Sequence, residues 1–255
     1  IFTTRRFFHT GILARTDRGI ESPADLKGKR VGVAEYQQTA ALWTRGILSH
    51  EFGVEPPEME FFMERNPEHS HGGATGFKPP KGVKLSYIDQ NSDIGQMMAS
   101  GELDATLNYL RQTNLVDRAS VDLLARPDVK TLFPDQAAES IRYYEKTGIY
   151  PINHGMVIKR EIAERHPWIV LNLFKAFEES RQKADAQRVL HAEYQIAAGL
   201  LSPESIEGIK TPLVKHGVVA NRMVLETAAQ YSYEQGLTPR LMKLDELFAE
   251  STMEH

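Results

Sequence analysis

Two histidines flank one serine in the stretch ERNPEHSHGGATGF, residues 64–77, and this spacing allows two kinds of chemistry. An imidazole titrates near neutral pH, so His69 or His71 could donate a proton to a reacting carbon. The two rings could also bind a divalent metal, but zinc usually takes three or four ligands, and completing the site with Glu64, Glu68 and His154 would be an arbitrary choice. A general acid is therefore the first interpretation, a metal site is the second, and a solvated loop is the third.

The glycines that follow the two histidines could hold an anion. Ser70, Gly72, Gly73 and Thr75 belong to a run whose exposed backbone N–H groups can surround a negatively charged ligand. The enclosing segment, 64–82, contains three prolines and four glycines and is long for a connection within a compact domain. Because such loops are often functional, these four residues are predicted to contact a substrate.

A further group of candidate binding residues lies near the start of the chain, in TTRRFFHTGI. A guanidinium group pairs well with a carboxylate, which makes Arg5 and Arg6 candidate anchors for an anion. Neighbouring residues of a strand point to opposite faces, so at most one of the two should face a ligand, and Arg5 is slightly favoured. His9 is expected on the same strand and on the same face as Arg5, where it is either a ligand contact or a hydrogen-bonded structural histidine.

The turn between the strand KRVGVA (29–34) and the helix that follows it is the next candidate site. Ligands of open α/β sheets bind at such turns, where free helix N–H groups favour an anion. Glu35 is predicted to be a base or to destabilise a leaving carboxylate, and Tyr36 to contact a ring hydroxyl. Gln37 and Thr39 are predicted to bind substrate, although Thr39 could simply cap the helix.

Other candidate residues are weaker. Arg45, further along the same helix, is expected on the helix surface. Asn153 and His154 lie on a strand expected beside the binding cleft, where alternation would turn one of them toward the ligand, His154 as a catalytic candidate. Four large residues are expected to pack in apolar cores: Trp43, Met97, Met98 and Trp168.

These residues need a scaffold, and the first half of the chain predicts an α/β unit. Apolar runs at 29–34, 59–63, 83–88 and 103–110 have the length and composition of buried strands. Helical patterns lie between several of them, beginning at Thr39 and Ser92 and ending at Gly53 and Gly101. This alternation predicts a mainly parallel sheet with right-handed crossovers.

The second half of the chain is mostly helical after a last strand at 153–159. Pro167 is expected in the first turn of a long helix, and Asn221 and Thr238 are expected to be N-caps. The apolar faces of these helices need a sheet, yet only residues 7–14 and 153–159 remain to form one. The two strands would suit a hinge between lobes, and the rest of that sheet is expected upstream of Ile1.

Composition excludes some functions. The chain of 255 residues has no cysteine, which excludes disulfides, thiolate metal sites and thiol nucleophiles. A net charge of -4 gives no reason to expect nucleic acid as a partner. No apolar run approaches the roughly 20 residues of a membrane-spanning helix.

The phrase ILARTDRGIESPADLKGKRVGVAEY (12–36) resembles the entry into the second lobe of type II periplasmic solute-binding proteins. ASGELDATL and MVIKREIAERHPWIVLNLFKAF are also similar to segments of that fold. The resemblance implies a two-lobed α/β protein. Residues 14–152 are expected to form the inserted lobe, and residues 1–13 and 153–255 the remainder of the other lobe. The N-terminal part of that other lobe is expected to be missing.

More specific phrases resemble the 4,5-dihydroxyphthalate decarboxylase family: VGVAEYQQTAALWTRGIL, TRRFFHTGI, HSHGGATGF and YPINHGMVIKRE. This resemblance implies an enzyme that removes one carboxylate of an aromatic dicarboxylate held in the interlobe cleft. No organic cofactor is required for that reaction, although a divalent metal stays open. A cytoplasmic homo-oligomer without nucleic-acid or membrane partners is expected.

Two other functions remain open. The fold is commonly used to bind solutes, so the chain could instead capture an aromatic carboxylate for an ABC transporter. Some enzymes that make thiamine precursors use the same fold, but they carry a cysteine-rich segment, which this chain lacks.

Overall fold

The computed structural model describes residues 1–68, 70, 76–110, 118–212 and 214–255. The chain divides into two compact units. The inserted unit comprises Arg6–Pro151 and Thr227–Met242, and the terminal unit comprises Ile1–Arg5, Ile152–Glu226 and Lys243–His255. The lobe boundaries anticipated from the sequence stay a prediction. Within the described ranges, none of the helices is both long and apolar enough to span a membrane.

A mixed sheet forms the centre of the inserted unit. Its strands are β2 (Leu13–Arg15), β3 (Arg30–Val33), β4 (Glu60–Met63), β5 (Lys84–Tyr87), β6 (Ala105–Leu107) and β7 (Val129–Thr131). They lie in the order β5-β4-β3-β6-β2-β7. Strands β5, β4, β3 and β6 are parallel, and β2 runs antiparallel between β6 and β7. The predicted α/β class of the two-lobed, periplasmic-binding-protein-like fold is confirmed.

Helices accompany these strands, and apolar residues of the unit form buried clusters. The helices are α1 (Thr39–Phe52), α2 (Ile94–Ser100) and α3 (Gln136–Thr147). Met97 and Met98 of α2 pack in an apolar cluster with Leu13 and Leu103, and Trp43 of α1 is fully buried, as expected. Gly53 and Gly101 follow α1 and α2 in the left-handed conformation, which favours glycine and ends both helices as predicted.

The terminal unit pairs two short strands, β1 (Phe2–Arg5) and β8 (Ile152–Gly155), in antiparallel fashion. Its helices are α4 (Arg160–Arg165), α5 (Trp168–Ala197), α6 (Ser205–Lys210), the first five residues of α7 (Arg222–Glu234) and α8 (Leu244–Leu247). Pro167 directly precedes α5, as predicted. Trp168 does not pack in a core, since 63% of it is exposed.

Several predicted elements are wrong in detail. The continuous strand expected at 7–14 is replaced by a 3-10 helix at Phe8–Gly11, after which β2 begins at Leu13. The aromatic residues of this stretch explain the difference, because Phe7 stacks on Tyr150 and His9 packs against Tyr143. Arg5 and His9 therefore do not share a strand face, and the argument from their parity fails.

The ends of other elements also differ from the predictions. Strand β8 ends at Gly155 rather than 159, and α8 begins after Lys243, so that Thr238 caps no helix. Asn221 precedes α7 as expected, but its side-chain amide donates to the carbonyl oxygens of Lys215 and Gly217. Helix α3 was not predicted; most of its residues are polar or charged, and Tyr143 is its buried residue.

Candidate active site

The candidate site lies at the carboxyl edge of the parallel strands of the inserted unit. The turn 34–38 leaves β3 there and leads into α1, residues 64–68 leave β4, and Asn108 leaves β6. Since the carboxyl ends of parallel strands meet at one edge of a sheet, these turns carry their side chains to the same edge. The sequence predicted a site in the first of these turns, and the topology adds the other two.

Glu35 is held in a buried hydrogen-bonded network. One carboxylate oxygen, Oε2, accepts from Arg65 Nη1 at 2.8 Å. The other, Oε1, accepts from Ser70 Oγ at 2.9 Å and from Gln37 Nε2 at 2.6 Å. Only 1% of Glu35 and 7% of Arg65 is exposed. Three donors, one of them the Arg65 guanidinium, hold the Glu35 carboxylate in place, so it is suited to accept a proton or to repel a leaving carboxylate.

Arg65 was not predicted as a functional residue, and Glu64 was named only as an arbitrary completion of a metal site. Glu64 Oε2 accepts from the backbone N–H of Ile94, the first residue of α2, at 2.9 Å. Its Oε1 accepts from the backbone N–H of Arg118 at 2.6 Å. Both residues come directly after β4, and that position in the sequence is the signal that would have identified them.

The N-terminus of α1 faces the same turn. Thr39 is the first helical residue and Gln38 is the N-cap, which makes no side-chain capping bond within the described part of the chain. The first N–H groups of a helix lack intrahelical partners and carry a partial positive charge. This end of α1 is therefore suited to an anion, as the sequence suggested.

Asn108 adds a backbone feature to the edge. Its φ of 52° lies in the left-handed region, which residues with a side chain adopt at a cost of about 1–3 kcal/mol. Its side-chain amide donates to Thr44 Oγ1 at 2.7 Å, which ties the end of β6 to α1. Such strain often marks a functional position, and no periodicity in the sequence could have revealed it.

Tyr36 and Arg45 pack against each other in the inserted unit. The Arg45 guanidinium carbon lies 3.7 Å from the centroid of the Tyr36 ring, and both residues are fully buried. The expectation that Arg45 lies on the helix surface is wrong. The side chain is buried because Gln235 accepts a hydrogen bond from its Nε at 2.9 Å and Tyr36 covers its face.

The two arginines near the start of the chain lie in different units. Arg5 belongs to the terminal unit, where its Nη2 donates to Asn221 Oδ1 and to the Lys215 carbonyl oxygen. Arg6 belongs to the inserted unit, is exposed, and has no salt-bridge partner among the described residues. A Cβ added to Gly11 would lie 3.8 Å from Arg6 Nη2 and 3.4 Å from Asn108 Oδ1, so the side chains of Arg6 and Asn108 both lie close to Gly11.

Asn153 and His154 lie on β8 of the terminal unit. His154 is exposed, and its Nδ1 is 2.9 Å from Thr4 Oγ1 on the paired strand β1. Asn153 is half-buried beside it. The two residues are accessible side chains of this unit, and their contact with a substrate stays a prediction.

The imidazole of His9 is fully buried in the inserted unit. Its Nε2 donates to Glu139 Oε1 at 3.0 Å, and its Nδ1 has no hydrogen-bond partner among the described residues. Tyr143 and Phe133 pack against the ring, with centroids 5.1 and 5.5 Å away. Burial lowers the pKa of His9 below its usual 6.5, although Glu139 raises it in part.

Acidification is expected to destabilise the inserted unit through His9. The lowered pKa means that the unfolded chain binds a proton more readily than the folded chain. The contribution of His9 is therefore complete above about pH 6.5 and is lost as the pH falls toward its lowered pKa. Thermal unfolding of the wild type and of His9→Gln should show the wild type losing Tm relative to the variant below about pH 6.5. A constant difference between the two proteins would contradict the assignment.

Five predicted site residues lie outside the described residues: His69, His71, Gly72, Gly73 and Thr75. Their neighbour Ser70 is described and belongs to the Glu35 network. Among the described residues, no group of three or more histidine and acidic side chains could hold a metal ion. A metal at His69 and His71 therefore stays a prediction.

Comparison with known proteins gives two curated relatives with the same name. A 4,5-dihydroxyphthalate decarboxylase from Comamonas testosteroni is 30% identical over 270 residues, which cover 100% of this chain and 76% of the relative. A protein of that name from Pseudomonas putida is 40% identical over 107 residues, which cover 42% of each chain. A family model described as NMT1/THI5 like matches residues 5–70.

Solved structures with a similar course of the chain include the periplasmic aliphatic sulphonate-binding protein SsuA from Escherichia coli. Its TM-score is 0.44 and its identity 16%, with 96% of this chain and 70% of that chain covered. The desulfurization enzyme DSZB has a TM-score of 0.36 at 17% identity, covering 96% of this chain and 74% of that chain.

The relative from Comamonas testosteroni matches this chain over its whole length and at an identity that defines a family. The relative from Pseudomonas putida supports the same assignment over part of the chain. The sequence resemblance to the decarboxylase family is thereby confirmed. The chain belongs to the 4,5-dihydroxyphthalate decarboxylase family and is an enzyme of the carboxy-lyase class.

Proposed function

We propose that this decarboxylase acts on a hydroxylated aromatic dicarboxylate and converts 4,5-dihydroxyphthalate to protocatechuate and CO2. The names of the two curated relatives support this choice of substrate. The observation that carries the proposal is the buried Glu35 carboxylate, held by Arg65, Gln37 and Ser70 in the turn that leads into α1. A charged acceptor beside a helix N-terminus combines the two functions that the reaction needs, anion binding and proton transfer.

The reaction replaces one carboxylate of the ring with a proton. The ring carbon that bears the leaving carboxylate takes a proton from a general acid. The bond between that carbon and the carboxylate then breaks, CO2 departs, and the electron pair of the bond returns to the ring. A hydroxyl para to the leaving group pushes electron density toward this carbon, and a base that accepts the hydroxyl proton increases the push.

The roles follow from this chemistry. Glu35 is the proposed base, because it is a buried carboxylate, positioned by Arg65, in the turn that leads into α1. His69 or His71 is the proposed general acid, since the two residues flank Ser70 in the sequence and the Ser70 hydroxyl donates to Glu35. The exposed Arg6 and the N–H groups of α1 are the proposed first contacts of the dianionic substrate.

The test is incubation of the protein with 4,5-dihydroxyphthalate, with and without a chelator, while the products are followed by chromatography. Formation of one protocatechuate for each substrate consumed is expected. Loss of turnover with the chelator would assign a metal to the reaction. A substrate that raises the Tm yet stays chemically unchanged would contradict the proposal and favour a solute-binding function.

Replacing His69 or His71 with Ala is expected to reduce kcat about 100-fold or more for the residue that gives the proton, because general acid catalysis contributes about 10²–10⁴ in rate. The Tm should change little. The pH profile of kcat should lose its basic limb in that variant only. Normal turnover with a lowered Tm would instead assign both residues a structural role.

A further inference from the structure

Arg45 in α1 carries a buried positive charge that nothing in the described chain neutralises. Its Nε donates to Gln235 Oε1 at 2.9 Å. Its Nη1 and Nη2 are buried and have no hydrogen-bond partner among the described residues. Burial lowers the pKa of Arg45 to about 10, so the side chain is still a cation at neutral pH. An uncompensated buried charge costs folding free energy, and groups perturbed by burial cluster at functional sites.

The neighbours of Arg45 are aromatic rings and one more unpaired donor. The guanidinium lies over the Tyr36 ring at 3.7 Å and at 5.9 Å from the centroid of Phe61. The Tyr36 hydroxyl is also buried and has no hydrogen-bond partner in the described part of the chain. The two Nη atoms of Arg45 and the Tyr36 hydroxyl thus lie close together without hydrogen-bond partners among the described residues, and aromatic rings surround them.

One segment packs against this pair. Phe77 stacks on Tyr36, with centroids 5.9 Å apart and planes at 25°. Pro80 lies against Gly236, because a Cβ added to Gly236 would be 2.9 Å from the Cβ of Pro80. Gly236 directly follows Gln235, which accepts the hydrogen bond from Arg45. The pair is therefore enclosed by the described end of the glycine-rich stretch and by residues 235–236.

We propose that Arg45 and Tyr36 bind one carboxylate of the aromatic dicarboxylate substrate, an assignment that rests on the proposed function. The paired Nη atoms of a guanidinium match the two oxygens of a carboxylate, and the Tyr36 hydroxyl supplies a third donor. The rings of Tyr36, Phe61 and Phe77 provide apolar surface for an aromatic acid. Tyr36 directly follows Glu35 in the same turn, so this site and the proposed base belong to one short segment.

The test compares Arg45→Met with the wild type in two measurements. Without ligand, the variant should have a Tm about 2–4 °C higher, because an unpaired buried cation is replaced by an apolar side chain of similar length. Calorimetric binding of phthalate should be about 100-fold weaker, since the variant offers no charged partner. Tyr36→Phe removes only the hydroxyl and should weaken phthalate binding several-fold, and catechol, which has no carboxylate, should bind all three proteins alike.

Three results would overturn the assignment. A lower Tm for Arg45→Met with unchanged phthalate affinity would make Arg45 a structural cation. Wild-type affinity for phthalate in both variants, or no binding of phthalate by the wild type, would also contradict it. The proposed reaction is tested separately. If phthalate binding depends on Arg45 but no protocatechuate forms, the carboxylate site is supported and the proposed reaction is rejected. If Arg45→Met forms protocatechuate at the wild-type rate, the reaction is supported and the carboxylate site is rejected.

Discussion

Replacement of Arg65 by Met is expected to lower the free energy of unfolding by about 3–5 kcal/mol, because it removes the Arg65 guanidinium from the buried Glu35 carboxylate. The two side chains are joined at 2.8 Å and have exposures of 7% and 1%. Water therefore cannot take over the role of Arg65. Chemical denaturation of the wild type and the variant measures this difference directly.

The matched control is the double variant Glu35→Gln with Arg65→Met. It removes both charges, so most of the lost stability should return, as happens when a buried ion pair is replaced as a whole. Turnover should not return, because Glu35 is the proposed base and general base catalysis contributes about 10²–10⁴ in rate. A double variant less stable than Arg65→Met would show that the pair does not act as a unit.

Gly46→Ala is expected to lower the free energy of unfolding by about 2 kcal/mol or more through overpacking, despite the gain of about 1 kcal/mol in helix propensity. A Cβ on Gly46 would lie 2.0 Å from Cδ2 of Tyr231 and 2.4 Å from its Cε2. The Tyr231 ring is itself buried and packs edge-on against Trp43. The ring therefore has little room to move, and α1 would have to shift.

Gly208→Ala is the control for this substitution. Gly208 lies in helix α6, and a Cβ there would meet no atom within 4 Å. This variant should gain about 0.5–1 kcal/mol, because alanine loses less conformational entropy than glycine in a helix. Thermal or chemical unfolding of both variants checks the pair, and equal effects at the two positions would contradict the role of the close Tyr231 contact.

Arg45 and Arg65 show how little of a site can be predicted from residue types. Both arginines belong to the inserted unit and both are buried, but Arg65 is paired with Glu35 while the Nη groups of Arg45 lack partners among the described residues. The sequence pointed to Glu35 because it follows a buried strand. The partner of a charged residue depends on contacts between distant segments, and no local pattern contains that information.

His9 illustrates the same limit for backbone structure. Alternation of residues predicted a strand that would place His9 and Arg5 on one face. The chain instead forms a 3-10 helix, because Phe7, Phe133 and Tyr143 pack around the imidazole. Aromatic packing between segments more than 100 residues apart outweighs the weak strand preference of this short stretch.

The sequence by itself determined the α/β class of the inserted unit, the strands β3, β4, β5 and β6, the ends of α1 and α2 at Gly53 and Gly101, and membership in a decarboxylase family. These features are local, since they depend on apolar periods, on glycine and on short phrases that the residues carry with them. Only the tertiary structure decided that Glu35 has Arg65 and Ser70 as partners, that Asn108 takes a left-handed conformation, and that Arg45 is buried over Tyr36. The physical reason is that burial and charge pairing are properties of the packed chain, where segments distant in sequence determine what each polar group can contact.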